Sequence, residues 1–113
     1  MLCETKDKMD EKKLQEMQIL EQRLQNSIFQ KQAFQMELAE TNSALKEIEK
    51  SGDEVFKIIG QLMIKSEKSK IREELLSKQK ILELRIKSLE KQESSLSEQL
   101  DKIRNELTKS VKS

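Results

Sequence analysis

The chain has no histidine, proline, tryptophan or tyrosine, and only one cysteine and two glycines among its 113 residues. Each absence closes a route. Without histidine there is no imidazole for acid–base work, no Ser-His-Asp arrangement and no histidine-containing zinc site. The lone Cys3 can neither close an internal disulfide nor build a thiolate metal site. It stands in a stretch, residues 1–9, that is expected to be disordered, with no neighbouring group to activate it. Gly52 and Gly60 fit neither phosphate-binding spacing, so no nucleotide loop is expected. Aromatics at 3% and charged residues at 38% are poor material for a globular core. The many carboxylates stand beside lysines and read as solvated ion-pair decoration rather than as catalytic pairs. The expectation is no enzyme activity, no cofactor and no metal.

Two further absences concern partners. Lys plus Arg number 22 against 21 Asp plus Glu, a net charge of +1, and acids are interspersed among the lysines. Neither nucleic acid nor an anionic membrane is attracted by such a balance. No apolar run approaches the roughly 18 residues of a membrane span, and no apolar signal-peptide core opens the chain. A soluble cytoplasmic protein is the expectation.

What is present is helix-forming sequence. Scarce Gly and absent Pro favour long uninterrupted helices. The first is expected over residues 10–50. Alternating steps of three and four residues pass through Met17, Leu20, Leu24, Ser27, Lys31, Phe34, Leu38, Thr41, Leu45 and Ile48, of which only Ser27, Lys31 and Thr41 are polar. The second helix is expected over residues 67–109. Its seam is Leu75, Gln79, Leu82, Ile86, Leu89, Glu93, Leu96, Leu100, Ile103 and Leu107, with only Gln79 and Glu93 polar. A 3.5-residue repeat sustained this long is the mark of a coiled coil. Ser51-Gly52-Asp53 ends the first helix, with Lys50 in its last turn. Ser66 and Glu67 are candidate starts for the second. Glu74–Lys78, Glu83–Lys87 and Glu98–Lys102 have the spacing of favourable intrahelical pairs.

Between the arms, residues 53–66 hold Val55-Phe56-Lys57-Ile58-Ile59-Gly60-Gln61-Leu62-Met63-Ile64-Lys65. Strand formers flank a Gly-Gln pair that suits a two-residue hairpin turn. The turn would pair Ile59 with Leu62, Ile58 with Met63, Lys57 with Ile64 and Phe56 with Lys65. One face then carries Val55, Ile59, Leu62 and Ile64; the other carries Phe56, Ile58 and Met63. A lone hairpin is marginal in water, and apolar faces on both sides ask for strands from other chains. Val55, Phe56, Ile58, Ile59, Gly60, Leu62, Met63 and Ile64 are therefore the candidate oligomerisation residues.

Folding back at Gly60-Gln61 brings the seams together as an antiparallel coiled coil with arms about 60 Å long. Leu45 then faces Leu75, Leu38 faces Leu82, Phe34 faces Ile86, Leu24 faces Leu96, Leu20 faces Leu100 and Met17 faces Ile103. Polar layers coincide as Thr41 with Gln79 and Ser27 with Glu93, which favours this register over a one-heptad slip. Lys31 against Leu89 is the mismatch, its stem free to snorkel. Both termini fall at the far end, where residues 110–113 are expected to be flexible. Leu14, Met17, Leu20, Ile103, Leu107 and Val111 are the candidate binding set there. Ile19, Ile28, Phe29 and Met36 fall off the seam and are expected at least partly exposed.

The order helix, V-F-K-I-I-G-Q-L-M-I-K hairpin, helix resembles the beta class of prefoldin subunits. Leu84-Arg85-Ile86-Lys87-Ser88-Leu89-Glu90-Lys91-Gln92-Glu93, Gln30-Lys31-Gln32 and Glu47-Ile48-Glu49 are also similar to that class, and the likeness covers about residues 14–108. It implies a mainly α fold, two coiled-coil helices joined by one hairpin that enters an oligomeric β-barrel. It implies a hexameric co-chaperone with alpha-class and other beta-class subunits as partners. Its free arms would hold unfolded client proteins without ATP and pass them to a group II chaperonin. The competing readings are a structural coiled-coil tether without client binding, and a nucleic-acid-binding arm that the net charge disfavours.

Overall fold

A computed structural model describes the backbone of residues 2–112 and the side chains of residues 8–109. The element order is α1 (Leu2–Lys50), β1 (Glu54–Ile59), β2 (Leu62–Glu67) and α2 (Lys68–Lys112). α1 starts well before residue 10. No Gly or Pro interrupts the residues before it, and the seam spacing continues back from Met17 to Lys13 and Asp10, both half-buried. α2 starts one residue later than expected. Ser66 and Glu67 are not its cap but the last rungs of the hairpin, opposite Val55 and Glu54. The two facing glutamates repel, and Lys65 Nζ lies 2.9 Å from Glu54 Oε1 to offset this.

The end of α1 is closed by side chains from beyond it. Ser51 Oγ donates to the Ile48 carbonyl at 2.8 Å, and Lys68 Nζ donates to the Ser51 carbonyl at 2.9 Å. These occupy acceptors that a helix end leaves without partners. The hairpin register agrees with the turn chemistry: Ile59 pairs Leu62, Ile58 pairs Met63, Lys57 pairs Ile64 and Phe56 pairs Lys65. Gly60 has φ 58, and among the described residues no non-glycine has positive φ. One left-handed residue at the first turn position, and none at the second, is the type II′ pattern that matches strand twist.

The chain divides into two compact units. One contains Met1–Lys31 and Ser88–Ser113, called here the terminal unit; the other is Gln32–Lys87, the hairpin unit. In the terminal unit Leu20, Leu96 and Leu100 form a buried cluster, with Met17, Leu24 and Ile103 packed against it. These are the residues of three expected facing pairs. In the hairpin unit Ile48, Leu82 and Ile86 are buried, while Phe34, Leu38, Leu45 and Leu75 are half-buried. Arg85 lies over the Phe34 ring, 5.5 Å from its centroid. Every expected seam position in both units is buried or half-buried.

The polar layers are not joined by hydrogen bonds between the residues expected to face each other. Ser27 and Glu93 share no hydrogen bond: the Ser27 hydroxyl is buried without a partner. Glu93 reaches Lys31 instead, at 2.6 Å, so the lysine is ion-paired rather than merely snorkelled. Nor does Thr41 bond Gln79. Thr41 Oγ1 donates to the Glu37 carbonyl at 2.8 Å, and Gln79 Nε2 donates to Asn42 Oδ1 at 2.7 Å. The three expected intrahelical ion pairs are also absent among the described residues. Glu74 reaches Lys57 of β1 at 2.9 Å, and Arg72 reaches Glu49 of α1 at 3.0 Å. Both pairs are exposed and add little to stability.

Candidate assembly and binding surfaces

The hairpin displays its apolar side chains to solvent. Ile58, Leu62 and Met63 are each about two-thirds exposed, and Phe56, Ile59 and Ile64 are also exposed. Gly60 is exposed at the turn, and Val55 is half-buried. Register sorts them into two faces. Val55, Lys57 and Ile59 share a face with Leu62, Ile64 and Ser66; Phe56 and Ile58 share the other with Met63 and Lys65. The first face is partly covered at its base, where Val55, Lys57 and Ser66 are half-buried. The second is open throughout. The sheet has only two strands, so each strand is also an edge. Six large apolar side chains around two free edges form a surface with more to bury than this chain covers.

The expected binding set is split by the structure. Leu14 is 45% exposed. Met17, Ile103 and Leu107 are half-buried, and Leu20 lies in the cluster with Leu96 and Leu100. The side chain of Val111 lies outside the described residues. Off the seam, Ile19, Phe29 and Met36 are exposed and Ile28 is half-buried. The residues that sequence reasoning did not single out are Met9, Leu76, Ile81 and Leu84, also exposed. Their signal was available: none of the four falls on the seam spacing.

The comparisons with known proteins bear on the same elements. A family model described as prefoldin subunit matches residues 11–113. A prefoldin subunit beta from Thermococcus onnurineus is 45% identical over 85 residues, 74% of this chain and 73% of the relative. The chain belongs to the prefoldin beta-subunit family. The corresponding protein of Thermococcus gammatolerans is 39% identical over 101 residues, 88% of this chain and 86% of its own length. The crystal structure of the prefoldin beta subunit from Thermococcus strain KS-1 is similar with a TM-score of 0.82 at 36% identity, covering 89% of this chain and 90% of that one.

Prefoldin is a chaperone family rather than an enzyme family, and its subunits form hetero-oligomers with one another. Two helices joined by one hairpin are the architecture shared with the Thermococcus KS-1 subunit. Among the described residues no cluster of His, Cys, Asp or Glu is placed to hold a metal ion. No helix among them is long and apolar enough to cross a membrane.

Proposed function

We infer that this chain is one subunit of a cytoplasmic hexameric prefoldin, in which alpha-class subunits and other beta-class copies complete a β-barrel around its hairpin. The observation that carries the reading is the hairpin itself: Phe56, Ile58, Ile59, Leu62, Met63 and Ile64 are all exposed in the isolated chain. Strand addition from neighbouring subunits pairs the free edges and covers both faces. The terminal unit then holds apolar segments of unfolded clients, with Leu14 exposed, Met17, Ile103 and Leu107 half-buried and Leu20 buried. Val111 belongs to the same proposed set. Holding is passive. Several arms each grip weakly, and their joint action gives avidity without nucleotide. Release follows from competition, with a group II chaperonin as the receiving partner.

The test is reconstitution with an alpha-class subunit, read by size-exclusion chromatography with light scattering and by aggregation of a denatured client. The expected result is a discrete hexamer that suppresses aggregation. A chain that stays monomeric with an alpha-class partner refutes the assembly reading. A hexamer without suppression leaves a structural tether. Ile59→Asp places a carboxylate in the sheet and is expected to abolish the hexamer while helix content by circular dichroism is kept.

A further inference from the structure

Along one flank of the terminal unit, Glu16, Ile19, Leu20 and Arg23 of α1 line a groove of about 420 Å³ with Gln99, Lys102, Ile103 and Glu106 of α2. Its floor is apolar: Leu20 is buried, Ile103 is half-buried, and Ile19 is 55% exposed. The helices run antiparallel, which orders the rim. Glu16 and Glu106 come nearest the chain termini, and Lys102 and Arg23 follow farther along each helix. Lys13 takes Glu106 at 3.5 Å. Among the described residues neither Arg23 nor Lys102 forms an ion pair.

A single free cation on a solvated helix is ordinary. Two of them, one on each facing helix, converge here on an exposed isoleucine and an apolar floor. That is the combination of apolar surface and a few placed polar groups that orients a ligand. Glu16 on the same rim also forms no ion pair among the described residues, so the unpaired charges are two cations and one anion, and a carboxylate complements the rim at its Arg23 and Lys102 end. The contrast lies in the same unit: the groove at Leu24 and Ile28 is rimmed by Glu90, Glu93 and Glu98, with Lys31 already paired to Glu93. That groove repels the segment that the first attracts.

We propose that the Ile19 groove is a subsite for client segments in which a large apolar side chain is flanked by carboxylates. This rests on the holding function inferred above. The apolar side chain packs on Ile19 between Leu20 and Ile103, and the carboxylates meet Arg23 and Lys102. Exposed ion pairs are individually weak, so the subsite sorts segments by charge more than it raises affinity.

The experiment uses the full chain assembled with an alpha-class subunit and two fluorescein-labelled peptides read by anisotropy. Both peptides carry the same Leu-Phe-Leu core; one is flanked by glutamates, the other by lysines. The wild-type assembly is expected to favour the glutamate peptide by about fivefold. Arg23→Glu combined with Lys102→Glu is expected to reverse that order, and Ile19→Asp to weaken both peptides. All three positions are exposed, so the helices are retained, as circular dichroism will report. A preference unchanged by the charge reversal overturns the proposal, and so does the absence of binding to either peptide. Aggregation suppression is measured in parallel. Suppression with unchanged peptide preference removes the groove alone, whereas loss of suppression in the wild type removes the holding function and leaves the anisotropy to decide the groove.

Discussion

Replacing Ser27 by alanine should stabilise the terminal unit, although it removes a polar group from a polar layer. Ser27 is 3% exposed, and its hydroxyl has no hydrogen-bond partner. Burying an unsatisfied hydroxyl costs about 1–3 kcal/mol. Alanine removes that cost and gains about 0.5 kcal/mol of helix propensity. The space left by one oxygen returns only about 0.3 kcal/mol against it. The balance is about 1–3 kcal/mol in favour of Ser27→Ala. The control is Thr41→Ala, where the hydroxyl donates to the Glu37 carbonyl at 2.8 Å. There the lost hydrogen bond and buried methyl outweigh the propensity gain, for a loss of about 1 kcal/mol. Urea unfolding gives the overall sign, and native-state hydrogen exchange over residues 20–31 and 89–100 localises it. A destabilised Ser27→Ala would mean that the hydroxyl is hydrogen-bonded, and the account of this layer would be wrong.

The seam was legible because it depends on periodicity alone. Met17 through Ile48 and Leu75 through Leu107 follow one repeat, and burial follows it position by position. The hairpin register was legible because Gly60 fixes the turn, and the turn fixes every rung beyond it. Helix starts were not, since neither end carries a strong cap: β2 absorbs Ser66 and Glu67, and the seam simply continues back past Met17. Polar partners were not legible for a different reason. Glu93 and Gln79 have long side chains that can reach several neighbours, and each bonds a residue near the one it was expected to face: Lys31, one turn from Ser27, and Asn42, next to Thr41. Likewise Glu74 sits within reach of both Lys78 and Lys57, and helix spacing cannot foresee the strand lysine. The two surfaces differ in the same way. Hairpin exposure followed from apolar residues on both faces, whereas Met17, Leu20, Ile103 and Leu107 of the binding set are seam residues that the coiled coil itself consumes, and of its described side chains only Leu14, off the seam, is exposed.

Three further outcomes follow from the geometry. Gly60→Ala forces an L side chain to φ 58 with no steric contact within 4 Å, so its cost is backbone strain alone, about 1–2 kcal/mol. It should lower the concentration range over which the hexamer persists in light scattering, and D-alanine by chemical ligation should restore it; equal loss with both would point to something other than strain. Leu100→Ala, at a 2% exposed site, should cost about 2–5 kcal/mol by urea unfolding, against less than about 0.5 for Leu84→Ala at 67% exposure. Comparable losses would show that the buried cluster does not hold the terminal unit together. The last outcome concerns how a client is gripped. Leu20 is buried against Leu96 and Leu100, and Met17 and Ile103 keep only part of their surface free, so the closed helices offer a client only the outer edge of the seam. Either the terminal helices part during binding, or the grip lies on off-seam residues such as Leu14 and Ile19. Joining Met17→Cys to Ile103→Cys with a short thiol cross-linker, in a Cys3→Ser background, separates the two. Parting the helices would expose the leucine cluster at a cost of about 1.5–3 kcal/mol for each buried side chain, a large share of what several weak arms can supply. Holding is therefore expected to survive the cross-link and to fall with Ile19→Asp. Loss of aggregation suppression in the cross-linked assembly, restored when a cleavable linker is cut, would show that the terminal unit must open.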